Sequence, residues 1–197
     1  MAYTTLADLK TWLGITATTD DDALNDLLAA IESAIDLYCD RHFRAQTKTR
    51  YYTEDDLDDS DQILYIFDDD LISVTTLLNG DATTIASTSY WLEPRNDGPP
   101  YWKIQLKSSY YWSFITDGWI EVTGSWGYST TPPAAVVRAS LLWAAEMWGK
   151  KGAEGVKSHQ IGDFSEAFGD PSEWVSYPPD AVRAFLDPLV RLCGYGN

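Results

Sequence analysis

Asp36, Cys39 and His42 follow one another at three-residue intervals, a spacing that brings side chains to one face of a helix. A thiolate with a base beside it can attack a carbonyl carbon, and a thiolate with an imidazole can hold zinc. Nucleophilic catalysis also needs oxyanion donors from a second element, and none points at this trio. A zinc site of nitrogen and sulfur ligands alone would use Cys39, His42, His159 and Cys193, every Cys and His of the chain, at intervals that match no structural zinc pattern. These residues read as structural, and the two cysteines as free thiols, since nothing indicates an oxidising compartment. The run Glu54 to Asp61, EDDLDDSD, could attract a hard cation. A calcium loop begun at Asp56, however, puts Asp61 where glycine is required and Phe67 where glutamate is required. The run reads as a solvated loop between strands, and Asp68, Asp69 and Asp70 as a turn. Trp91, Trp102, Trp112, Trp119 and Trp126 share one stretch and could stack on sugar rings, although core or protein interface is the expected place for most of them. There is no phosphate-cradling glycine loop, no G-x-S-x-G and no H-E-x-x-H, so no catalytic residue, metal or cofactor is assigned.

The elements that must position these residues change character along the chain. Leu6, Leu9, Trp12 and Leu13 recur at helical spacing, with Thr5 and Asp8 as a capping box and Gly14 as a stop. A longer helix opens at Thr19 or Asp20 and carries Leu24, Leu27, Leu28, Ile31, Ile35 and Tyr38 on one stripe. After Phe43 the period becomes two. Thr47–Thr53, Ile63–Phe67, Leu71–Leu78, Ser89–Leu92, Tyr101–Lys107 and Trp119–Thr123 read as strands, with Asn79-Gly80 as a hairpin turn. Trp102, Ile104 and Leu106 alternate with Lys103, Gln105 and Lys107, which gives that strand one wet face. A third helix begins after Pro132-Pro133, with Ala134, Val137, Leu141, Ala144, Ala145 and Trp148 as its stripe; a last one follows Pro179 through Val182, Phe185, Leu186, Leu189 and Val190. The expected fold is α+β: a small bundle of about four helices with a large antiparallel β insertion between the second and third. The parts are 1–45 (helical), 46–130 (β insertion), 131–152 (third helix), 153–179 (an irregular arm) and 180–197 (last helix and tail), in one structural unit.

With 197 residues the chain can bury a core without disulfides or metal. The net charge is −16, and residues 1–70 hold 17 acids against 5 bases. Such a surface repels phosphates, which argues against sequence-reading DNA binding. No apolar run approaches the roughly 18 residues of a membrane span, and no basic segment followed by an apolar one opens the chain. A soluble protein made in a cytoplasm is expected.

One serial pattern is more informative. Leu6-x-x-Leu9-Lys10-x-Trp12-Leu13-x-Ile15 is followed by Asp22-x-Leu24-x-x-Leu27-Leu28-x-x-Ile31 and by Ala34-Ile35-x-x-Tyr38-Cys39-x-Arg41-x-Phe43. Then come Thr49-Arg50-Tyr51-Tyr52, Asp69-Asp70-Leu71-Ile72-Ser73-Val74, Gly118-Trp119 through Gly124, Gly127-Tyr128 and the Pro-Pro helix. This order resembles the head-to-tail connector (adaptor, or head-completion) proteins of long-tailed bacteriophages and prophages. The resemblance implies a mechanical, non-catalytic virion protein at the neck, assembled in the host cytoplasm. Such proteins form a homo-oligomeric ring, commonly a dodecamer, under the portal. They extend the DNA channel and offer a platform to the next connector or tail protein, a stopper or tail terminator. Implied partners are the portal protein and neighbouring copies; DNA passes without sequence-specific binding, and no membrane is involved. Family members dock a C-terminal segment on the portal, which makes Arg183, Phe185, Leu189, Arg191 and Tyr195 candidate docking residues. Deletion of 180–197 is then expected to abolish attachment and leave the rest folded. The alternative is a Trp-rich carbohydrate-binding module of a tail or surface protein, which requires exposed coplanar rings.

Overall fold

The computed structural model describes residues 2–58, 62–115, 118–151, 158–161, 164–167 and 178–191. The fold is α+β, in two units: Met1–Asp40 with Pro132–Arg191, and Arg41–Thr131.

The first unit is helical. The Thr5 hydroxyl accepts the Asp8 N–H at 3.1 Å to open α1 (Leu6–Leu13), and Gly14 closes it at φ 69°, where a Cβ would be strained. In α2 (Asp21–Cys39) the predicted stripe is real: Leu24, Leu28, Ile31, Ile35 and Cys39 are buried. The third helix, α3 (Ala134–Gly149), packs against α1, α2 and the last helix. Its buried residues are Val136, Ala139, Ser140, Trp143 and Ala144. Of the expected stripe only Ala144 is buried, while Ala134, Val137, Leu141, Ala145 and Trp148 lie toward the rim. The cause is that this helix is apolar around most of its circumference, so spacing alone does not select a face. Between residues 153 and 179, expected to be irregular, β7 (Ser158–Ile161) and β8 (Phe164–Ala167) pair as an antiparallel hairpin. Four-residue strands are too short for alternation to register. The chain re-enters at α4 (Asp180–Leu186), whose Val182 and Leu186 are buried, and continues into a 3-10 turn over Asp187–Leu189.

The second unit holds two antiparallel sheets. In the first, β6 (Ile120–Trp126) lies between β1 (Gln46–Tyr52) and β3 (Leu71–Leu78); in the second, β5 (Lys103–Leu106) lies between β2 (Ile63–Tyr65) and β4 (Tyr90–Glu93). Their inner faces share one apolar core, in which Leu64, Ile104, Ile120, Val122 and Trp126 are fully enclosed. Along β6 the alternation is strict, with Ile120, Val122, Gly124 and Trp126 buried. Gly124 admits a close approach of β3: a Cβ there would lie 2.0 Å from the Ser73 carbonyl oxygen. The strand expected at Trp119–Thr123 thus runs on to Trp126, and the one expected at Tyr101–Lys107 contracts to four residues. Asn79-Gly80 does make a tight turn, with Asn79 N–H donating to the Thr83 carbonyl at 2.8 Å. It is not a hairpin between sheet neighbours, because β3 pairs with β6 and the next strand joins the other sheet. The Asn79 side chain instead accepts the Ser113 N–H at 3.0 Å, so the turn anchors a later loop.

Candidate functional site

The residues with chemical potential are mostly committed to structure. Cys39 is fully buried on the core face of α2, Asp36 accepts a hydrogen bond from the Tyr3 hydroxyl, and the His42 carbonyl accepts from Tyr128 N–H at 2.7 Å. The side chain of His159, and Cys193, lie outside the described residues. In the acidic run, the Asp56 carboxylate accepts Thr53 N–H at 2.8 Å and Asp58 accepts Ile63 N–H at 2.9 Å. These acids cap backbone at strand ends; residues 59–61 lie outside the described part. Among the described residues no group of three or more His, Cys, Asp or Glu is placed to hold a metal ion.

The Asp68–Asp70 triplet, expected as a turn, does bend the chain, but it is not all in solvent. Asp69 and Asp70 are only 3% and 6% exposed. On β1, period two puts Lys48, Arg50 and Tyr52 on one face, and that face meets the triplet. Lys48 reaches Asp69 at 3.3 Å, Arg50 also donates to Asp69, and the Tyr52 hydroxyl donates to Asp68 at 3.0 Å. Arg41 donates to Asp70 at 2.8 Å and lies 5.1 Å from the Tyr128 ring centre. Gly127 N–H donates to the Asp70 carbonyl at 2.7 Å. Gly127 stands at φ 136°, where a Cβ would lie 2.5 Å from the Arg44 carbonyl oxygen. Burial opposes ionisation of Asp69, yet the Arg50 hydrogen bond, the Asp70 N–H and the Lys48 charge outweigh it and hold its carboxyl below the usual range. Its hydrogen bond raises Arg50 in return, while burial and then Asp68 raise the Tyr52 phenol. A buried carboxylate answered by cations on two sides is a structural clamp. Its signal was present in the sequence, as Lys-x-Arg-x-Tyr at strand spacing before an Asp triplet, but composition gave it no partner.

The tryptophans divide. Trp112 and Trp126 belong to the core, whereas Trp91, Trp102 and Trp119 are 38%, 46% and 51% exposed. Trp102 departs from the alternation of Ile104 and Leu106 and stacks beside Tyr65, centroids 6.4 Å apart, with Phe67 5.2 Å beyond on the other side.

The docking candidates sit as follows. Arg183 pairs with Asp180 of its own helix at 3.3 Å and with Asp187 of the following 3-10 turn at 3.9 Å. Phe185 and Leu189 are half-buried. Arg191 closes the end of α2: its N–H donates to the Cys39 carbonyl at 2.8 Å and its side chain to the Asp40 carbonyl at 2.9 Å. Tyr195 lies outside the described residues.

The segment that contains α1, α2, β1 and the Asp triplet has known relatives. Residues 3–74 match the family model of phage gp6-like head-tail connector proteins. Over these residues the chain is similar to the head-tail connector proteins. Beyond that segment, the likeness to solved structures is one of fold. A chain from the neck of an empty gene transfer agent (GTA) particle, computed with C6 symmetry, superposes with a TM-score of 0.64 at 18% identity, covering 98% of this chain and 91% of that one. A chain of the native GTA virion gives 0.62 at 17%, with the same coverages. One from the native GTA neck, computed with C12 symmetry, gives 0.55 at 16%, covering 93% and 96%. At such identities the likeness concerns the fold. No curated protein matches the sequence.

Proposed function

We propose that this protein is a structural component of the neck of a phage-like particle: a head-to-tail adaptor that forms a ring under the portal, lengthens the DNA channel and presents a platform to a stopper or tail protein. The observation that carries the reading is the connector-family match over residues 3–74, supported by a common fold along 98% of the chain with a GTA neck protein. Neck particles computed with sixfold and twelvefold symmetry agree with a ring of copies. The β-strands between α2 and α3 are then an insertion into a helical connector. A charge of −16 per copy, repeated around a channel, lets DNA slide where cation arrays would hold it. No catalytic step is required. The assembly belongs to the virion and forms in the host cytoplasm.

In portal docking, Phe185 and Leu189 supply half-exposed apolar surface, and Arg183 and Arg191 exchange their present partners for portal carboxylates. The near-parallel rings of Tyr65, Phe67 and Trp102 favour the second reading, a carbohydrate-binding module. Against it, a lysine lies 5.0 Å from the Trp102 ring centre, and an arginine 4.2 Å from that of Trp91, over faces a sugar would stack on. The deciding experiment is electron microscopy of the protein mixed with DNA-filled, tailless capsids. The adaptor reading expects a ring of density at the portal vertex. Density elsewhere, or none, overturns it.

A further inference from the structure

The outer face of the β2–β5–β4 sheet carries what this acidic chain otherwise has little of. Residues 71–130 contain three cations, Arg95, Lys103 and Lys107, and all three lie against exposed tryptophan. Arg95 and Lys107 are 4.2 and 5.3 Å from the Trp91 ring centre, and Lys103 is 5.0 Å from that of Trp102. The register puts Trp91 opposite Gln105 and Tyr65 opposite Lys103, so period two brings Trp91, Tyr65 and Lys103 to one side of the sheet while Leu64, Ile104 and Leu92 take the other. Glu93, paired with Arg95 at 2.7 Å, leaves this face net positive. Exposed aromatic rings and an arginine are residue types enriched in contact surfaces.

We propose that this face binds a second copy of the chain, and that the copy presents the exposed stripe of α2 formed by Asp22, Asp26, Ser33 and Leu37. The choice of occupant rests on the ring proposed above, and charge complementarity selects the surface. The chain's negative excess is concentrated in residues 1–70. Asp22 and Asp26, one turn apart, lie on the outer side of α2, in line with Leu37, which is 85% exposed and offers the aromatic rings an apolar partner. The stripe spans about 22 Å at the helical rise, and Trp102 to Lys107 span about 17 Å at the strand rise, so the two surfaces are of similar length. A net-positive face repels its own image, which disfavours a two-fold dimer. Two different patches per copy give a heterologous contact, the kind that closes into rings.

The test is sedimentation of the full chain over a wide concentration range. The wild type self-associates; Lys103→Glu/Lys107→Glu weakens association by on the order of tenfold or more, and so does Asp22→Lys/Asp26→Lys. Mixing the two variants restores it, because each then supplies an intact, oppositely charged partner for the other. The variants lie in different units, so misfolding of one, read by circular dichroism, leaves the other as an independent test. A wild type that stays monomeric, variants that associate like it, or a mixture that fails to recover would each overturn the proposal. Absence of the wild type from the portal vertex of capsids would instead overturn the connector reading, while the sedimentation result still judges the surface.

Discussion

At the level of single residues, the Asp69 cluster is the feature with the most energetic consequence. Its folded-state carboxyl titrates below the ordinary value of about 3.9, so the unfolded chain binds its proton first. The resulting stability is complete above that ordinary value and disappears as pH falls through the folded one. Urea midpoints should therefore drop steeply below about pH 4 in the wild type and less so in Asp69→Asn. At neutral pH, Asp69→Ala should cost about 1–3 kcal/mol, a range reduced from that of a fully buried pair because Arg50 and Lys48 keep part of their surface in water. Gly127→Ala combines a disfavoured φ with a carbonyl contact and should cost about 1–3 kcal/mol, read from the same urea curves. By contrast, Cys39 is enclosed, and its reaction with a thiol reagent should wait on unfolding, with a rate that follows denaturant concentration.

Among the elements, α3 separates sequence logic from packing. Trp143→Ala removes a fully buried ring and should cost about 3–5 kcal/mol. Trp148→Ala, on the side that spacing alone would have put inside, should cost less than about 1 kcal/mol; equal losses would restore the stripe read from sequence. α4 has the opposite lesson. Its burial of Val182 and Leu186 beside α3 means that deleting 180–197 would strip core residues, so the truncation expected to be harmless to folding should unfold the helical unit.

For the molecule as a whole, the cleaner truncation ends at Arg191, which keeps the closure of α2. That variant should melt as the full chain does. It keeps Arg183, Phe185, Leu189 and Arg191 and should still co-sediment with filled capsids; lost attachment would move the docking role to residues 192–197. Much of this architecture was legible in advance. The first two helices declared themselves through caps and a clean apolar stripe, and six strands through alternation, because both signals are local and repeat within a few residues. The serial order of motifs that points to the connector family is equally a property of the chain alone. What the sequence left open is set by partners far apart along it: which side of an evenly apolar helix is covered, that Asp69 is enclosed by Lys48 and Arg50 instead of water, and that three cations meet two tryptophans on one sheet face. A carboxylate or an indole carries the same side chain in solvent and in a core. Only the folded chain, by fixing what stands opposite, decides whether it is a surface charge, a clamp or a contact.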